Sequence, residues 1–134
     1  MSQNRDILRS ALELNNLRPE ADMSIEQYLM TPESMTRQVN IMKPVLNGKK
    51  VLFLGDDDHL SVLFGRYLSV SPVVAEYDAR IRLSLRDNYA RNNINNYIIE
   101  EYDARNVLPQ HIKADAFYIN PPYSSKNHGK GAKV

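Results

Sequence analysis

The chain has 134 residues, 43% apolar and 25% charged, a globular composition with room for one domain of ordinary size. Its 17 basic and 16 acidic side chains leave a net charge of +1, which excludes a strongly basic nucleic-acid binder though not a local basic patch. Cysteine is absent, which excludes disulfides, thiolate metal sites and a cysteine nucleophile, and neither a membrane-spanning apolar run of ~18 residues nor an apolar signal core is present, so a cytoplasmic protein is expected.

Residues 1–48 read as a helical segment. Ile7, Leu8, Ala11, Leu12 and Leu14 recur at roughly helical spacing between Asn4 and Leu17, and Arg18-Pro19 ends that helix because the residue before proline avoids the helical region. Ser24 and Gln27 have capping-box spacing for a short helix to about Met30. Thr31-Pro32 reads as a helix start, with Thr as N-cap and Pro at the first position. Met35, Val39, Met42 and Leu46 line one face of that helix. Pro44 is expected to bend or end it, and Asn47-Gly48 to close it.

Residues 49–134 have a different texture. Val51-Leu52-Phe53-Leu54 is an apolar run followed by Gly55 and a helical stretch from Leu60 to Leu68. Val73-Val74-Ala75 is a second run, followed by an amphipathic helix over about Arg80 to Asn92. Tyr97-Ile98-Ile99 and Ala116-Phe117-Tyr118-Ile119 are the third and fourth runs. Apolar strands alternating with helices predict an α/β fold, with a parallel sheet covered on both faces. Ligands of such sheets sit at the carboxyl ends of the strands. Glu76-Tyr77-Asp78-Ala79-Arg80 recurs as Glu101-Tyr102-Asp103-Ala104-Arg105, and both copies put acids at such an end.

The four strand ends carry the functional signal. After the first comes Gly55-Asp56-Asp57-Asp58-His59. A phosphate loop uses several glycines to bring backbone N–H groups to an anion. One glycine followed by three carboxylates repels a pyrophosphate and favours a cation: a sulfonium, an ammonium or a polyamine. A helix-start role for these acids is the plainer alternative. Glu76 ends the second strand, where a carboxylate can accept both hydroxyls of a ribose. Asp103 follows the third and could accept from an adenine amino group. Asn120-Pro121-Pro122-Tyr123 follows the fourth. Two prolines force a rigid extended backbone. The Asn120 side-chain oxygen and the Pro121 carbonyl are then free to accept from a planar amino group, while Tyr123 can stack on the base that carries it.

Together these residues resemble the S-adenosylmethionine-dependent methyltransferases, and more closely the gamma-type adenine DNA methyltransferases. In that family a Thr-Pro helix start precedes the first strand and helps hold the cofactor, as Thr31-Pro32-Glu33-Ser34-Met35 would here. The family's acid after the second strand is matched by Glu76, which the resemblance assigns to the cofactor ribose. Asp103 falls where an acid contacts the adenine. Asn-Pro-Pro-Tyr is the family's catalytic motif. The resemblance runs over roughly Thr31 to Tyr123. It implies N-methylation of an exocyclic amine, adenine in DNA above all, by direct displacement without a metal.

Two departures stand against it. The family's acid ahead of its first glycine is replaced here by Phe53, so the ligand's ammonium must be met by Asp56 or Asp57. Gly55-Asp56-Asp57-Asp58 is similar instead to the first loop of branched-chain polyamine synthases, which share the fold and transfer an aminopropyl group from decarboxylated S-adenosylmethionine. That family has Asp before the Pro-Pro, and Asn120 tips the sequence reading toward methylation. The second departure is length. The resemblance implies a Rossmann-like sheet in the order 3-2-1-4, incomplete beyond its fourth strand, so the expectation is a fragment, a truncated relative or half of an assembly. Ala116–Ile119 would then be an apolar edge, open to a second copy or another partner, and a non-catalytic partner-binding role stays open. Lys126, Lys130 and Lys133 are available to phosphate.

Overall fold

The computed structural model describes residues 2–20, 29–103, 105–109 and 111–119. The expected short helix from Ser24 and the Asn120-Pro121-Pro122-Tyr123 motif with the lysine-bearing tail lie outside these residues. Helix α1 spans Ser2–Leu17 and α2 Pro32–Leu46. The α/β part follows as β1 Lys50–Leu54, α3 Leu60–Tyr67, β2 Ser71–Glu76, α4 Ala79–Arg91, β3 Ile98–Glu101 and β4 Ala116–Tyr118. All strand pairs are parallel, in the order β3-β2-β1-β4. This is a Rossmann-like α/β sheet of the methyltransferase type, in the expected order.

Local chemistry explains the helix boundaries. Thr31 is the N-cap of α2, its hydroxyl accepting from Ser34 N at 3.1 Å, with Pro32 at the first position. Pro44 does not end this helix. It sits in the last turn, so only one backbone bond is forfeited, and the helix runs on to Leu46. Gly48 then leaves with φ +75°, a conformation that favours glycine. Asp78 caps α4 by accepting from Arg80 N.

The main core lies on one face of the sheet. Val51 and Phe53 of β1 and Val74 of β2 point there and meet Leu63 and Phe64 of α3 and Ile81, Leu85 and Tyr89 of α4. The N-terminal helices share this core through Ile7, Ala11 and Leu14 of α1 and Met35, Val39 and Leu46 of α2. Leu12, counted on the apolar stripe, is instead half exposed, because the buried positions step by four and three. Tyr118 fastens β4 to this layer. Its ring lies 5.3 Å from that of Phe64 and 5.8 Å from that of Phe53, and its hydroxyl donates to Gln38 Oε1 at 2.9 Å.

The opposite face departs from the expected pattern. Leu52, Val73 and Ala75 are buried there, yet what covers them is the segment after β3, through Tyr102, Leu108 and Ile112, and not a helix among the described residues. At the margins of this face Ile98 and Phe117 are exposed, 44% and 69%. β3 also begins one residue later than expected. Tyr97 turns aside to pack on Tyr89 at 4.5 Å between ring centroids, and the ladder continues to Glu101, opposite Glu76.

Core position should govern the effect of truncation. Phe53→Ala removes a fully buried ring and should lower unfolding free energy by about 3–5 kcal/mol, against at most about 0.5 for Leu83→Ala on the exposed side of α4. Urea denaturation followed by circular dichroism measures both.

Candidate functional site

β1 and β2 end side by side, and the carboxylates that follow them converge. Gly55 takes φ +80° as the chain turns away from β1, and its N–H donates to Ala75 O at 2.8 Å. Glu76 ends β2 and is 6% exposed. Its Oε1 accepts from Asp56 N at 2.8 Å and its Oε2 from Asp78 N at 2.9 Å. One carboxylate thus joins the loop after β1 to the turn after β2, and each oxygen keeps a further lone pair for a ligand. Burial pushes the Glu76 carboxyl above the usual range against the pull of these two N–H groups.

The three consecutive aspartates have three different environments. Asp56 points inward. Its Oδ2 accepts from Ser61 N at 3.2 Å and from the Ser61 hydroxyl, which lies 2.6 Å from the Tyr89 hydroxyl. It therefore caps the start of α3 from within, and burial raises its carboxyl well above the ordinary range. Asp58 is fully buried and faces α1. Its Oδ1 is 3.6 Å from Arg18 and accepts from Met30 N. Asp57 is half-buried, and no basic side chain among the described residues is in salt-bridge range of it. Burial first, then the charges of Asp58 and Glu76, lift its carboxyl to about 7. Of the two acids expected to meet a ligand's ammonium, Asp56 is committed to the fold and Asp57 is the one with an open face.

His59 follows with φ +63° and a buried ring. Its Nε2 lies 2.7 Å from Ser84 Oγ and its Nδ1 3.3 Å from Asp57 O. Burial pulls its titration down to about 4, so at neutral pH Nδ1–H donates to the carbonyl and Nε2 accepts from the serine. His59 is thus a buried brace at the start of α3.

Thr31 and Pro32 begin α2 immediately after Met30, whose N–H is held by Asp58. That contact brings the helix start expected at the cofactor to the acidic loop. Asp103 lies just beyond β3, whose end is tied to β2 by Tyr102 N donating to Glu76 O at 3.2 Å. Asp103 accepts from Arg105 N and Nε, and these bonds hold its carboxyl down at about 2. The internal echo has the same geometry twice, since Asp78 accepts from Arg80 N and Nε in the same way. Glu76 and Glu101 are ladder partners, so the two copies sit in register on adjacent strands.

Sequence reasoning missed Arg18, Ser61, Ser84 and Tyr89. For Arg18 a signal existed. Ile7, Ala11, Leu14 and Arg18 follow one another by four, three and four residues, which puts the guanidinium on the buried stripe. Ser61 and Tyr89 are recognised only once α3 and α4 are side by side.

Comparisons with known proteins bear on the family and fold that carry these residues. The family model described as the branched-chain polyamine synthase A C-terminal domain matches residues 6–128. The N(4)-bis(aminopropyl)spermidine synthase of Thermococcus kodakarensis is 31% identical over 124 residues, which is 87% of this chain and 35% of that protein. The crystal structure of the branched-chain polyamine synthase from Thermus thermophilus, in complex with N4-aminopropylspermidine and 5′-methylthioadenosine, superimposes with a TM-score of 0.75 at 29% identity. It covers 86% of this chain and 35% of that one. A dimethyladenosine transferase from Plasmodium falciparum shares the fold, with a TM-score of 0.56 at 21% identity, over 80% of this chain and 37% of that one. The chain spans about a third of the length of the curated relatives it matches. These likenesses favour the polyamine synthase resemblance over the adenine DNA methyltransferase resemblance that Asn120 suggested.

The open acid should be visible in stability. The Asp57 carboxyl is raised from 3.8 to about 7 in the fold. Its contribution is therefore fully present below pH 4 and lost as pH rises to about 7. Asp57→Asn should match the parent at pH 4 and exceed it by about 1–3 kcal/mol at pH 8. Denaturant titrations of both proteins at the two pH values measure the difference.

Proposed function

This chain belongs to the branched-chain polyamine synthase A C-terminal domain family, and from that premise we propose that it forms the donor-binding part of an aminopropyltransferase. The donor is decarboxylated S-adenosylmethionine and the acceptor a nitrogen of a linear polyamine such as spermidine. The observation that supports this most is the loop after β1. Its single glycine and three acids suit a cation, and Asp57 is the acid left facing out. A sulfonium donor and a polyamine are both cations. The thioether nucleoside and the branched polyamine in the Thermus thermophilus complex are the two products such a reaction would leave.

The chemistry is a displacement at carbon. The lone pair of a polyamine nitrogen attacks the aminopropyl carbon bonded to the sulfonium sulfur. The carbon–nitrogen bond forms, the carbon–sulfur bond breaks, and its electron pair remains on sulfur as 5′-methylthioadenosine. The nitrogen must shed a proton, and an acid poised near neutrality is suited to accept it. We assign that role to Asp57. Glu76 is assigned to the ribose hydroxyls, Asp103 to the adenine amino group, and Thr31-Pro32 to the wall beside the loop. The main contributions are then position and a fixed negative field. Asn120 favours a second reading, methyl transfer from S-adenosylmethionine to an exocyclic amine such as adenine in DNA, with Pro121, Pro122 and Tyr123 framing that amine.

Calorimetric titration separates the assigned roles. Glu76→Gln gives one backbone N–H an amide nitrogen in place of an acceptor. It should weaken 5′-methylthioadenosine binding about tenfold, the scale of one hydrogen bond to a charged group. Asp57→Asn should leave this neutral ligand within about twofold and weaken decarboxylated S-adenosylmethionine at least about tenfold. Mass spectrometry tests the reaction. With spermidine and the decarboxylated donor, 5′-methylthioadenosine and a spermidine heavier by one aminopropyl group are expected. Methylated adenine from S-adenosylmethionine and DNA, without those products, would overturn the reading in favour of the second.

A further inference from the structure

We propose that Arg18 is a positioning residue of the site: by gripping Asp58 and the Met30 carbonyl in one fork, it leaves Asp57 as the single loop acid turned outward. The proposal rests on the aminopropyl-transfer reading only for what Asp57 then binds. Arg18 Nη1 donates to Asp58 O at 3.0 Å and lies 3.6 Å from Asp58 Oδ1. Its Nη2 donates to Met30 O and to Asn15 Oδ1, both at 2.9 Å. Met30 N closes the circuit by donating to Asp58 Oδ1. Three separate segments therefore meet on one guanidinium: the end of α1, the start of α2 and the loop between β1 and α3. The side chains of Arg18 and Asp58 are 1% and 0% exposed, so water does not substitute for these bonds.

The loop is held on every side of Asp57. Glu76 fixes the backbone before it through Asp56 N, His59 fixes its own carbonyl, and Arg18 fixes the carbonyl after it. Among the described residues, the titratable and charged groups around Asp57 are Asp56, Asp58, Glu76 and Arg18, while His59 is neutral. Of the charges that raise the Asp57 carboxyl, Asp58 is the largest, and Arg18 is the cation that offsets Asp58. A lysine in place of Arg18 would keep the charge but not the fork, since an ammonium lacks the planar pair of donors that reaches both Asp58 and Met30.

Removing one member of a buried pair strands the other, so the test uses Arg18→Lys, with Asn15→Ala as the milder variant. The Asp57 carboxyl is titrated by carbon-detected NMR in the parent and both variants, and each is titrated calorimetrically with decarboxylated S-adenosylmethionine and with 5′-methylthioadenosine. Arg18→Lys should raise the Asp57 midpoint by at least about half a unit and Asn15→Ala by less. Affinity for the cationic ligand should fall at least about fivefold, and that for the neutral nucleoside should stay within about twofold. If Arg18→Lys does not fold, Asn15→Ala decides alone. An unmoved midpoint, or equal loss of both affinities, overturns the proposal. A midpoint that moves in a protein whose parent binds neither compound upholds the role of Arg18 and overturns the aminopropyl-transfer reading, so the two failures are distinct.

Discussion

Four carboxylates crowd the carboxyl ends of β1 and β2, and the need to compensate each of them organises the molecule. A buried charge is tolerated only if it is paired, hydrogen-bonded or protonated. Three of the acids solve that problem differently, and each engages a different part of the chain. Asp56 draws in Ser61 of α3 and, through it, Tyr89 of α4. Asp58 draws in Arg18 and Met30, and with them α1 and α2. Glu76 joins the two strand ends to each other. The helical layer is therefore joined to the sheet by more than its apolar core. Asp57 is the one of the four that ties no other element to the loop in this way.

Much of the fold was legible because its signals are local. The four apolar runs, the Thr31-Pro32 start and the Asn47-Gly48 exit each follow from the chemistry of a few adjacent residues. The strand order followed from resemblance, and the sheet has it. What was not legible depends on contacts across the fold. Asp56 and Asp57 are equivalent in sequence, and only the position of Ser61, one turn into α3, separates them. Arg18 read as the end of a helix because the proline after it is the stronger local signal, although its spacing from Leu14 placed it on the buried face. The choice between two cofactor chemistries turned on Asn120 in the sequence, whereas the family match and the acidic loop point to the other.

The two faces of the sheet are covered unequally. One carries four helices and the aromatic group of Phe53, Phe64 and Tyr118. The other has Tyr102, Leu108 and Ile112 laid across three small aliphatic residues. That segment is anchored at one end by Asp115, whose N–H and carboxylate bond the two sides of Lys50, and along its length by His111 against Glu100. A few polar pins thus do for this face what extensive apolar burial does for the other. Since such pins contribute less per contact than core packing, this is the face on which local opening would begin.

The duplicated Glu-Tyr-Asp-Ala-Arg segment has a consequence for what a distant charge feels. In each copy the aspartate and arginine are bonded within a single turn, Asp78 with Arg80 and Asp103 with Arg105. Within each pair the arginine is the more exposed end: 46% against 9% in the first and 85% against 24% in the second. The exposed ends of both pairs are therefore cationic, with the exposed carboxylate of Glu101 on the same segment as the second. Over the ~8 Å that a field reaches at physiological salt, a charge outside the fold meets the two guanidinium groups before the aspartates bonded to them. The same five residues therefore set the same polarity twice, guanidinium outward and carboxylate inward.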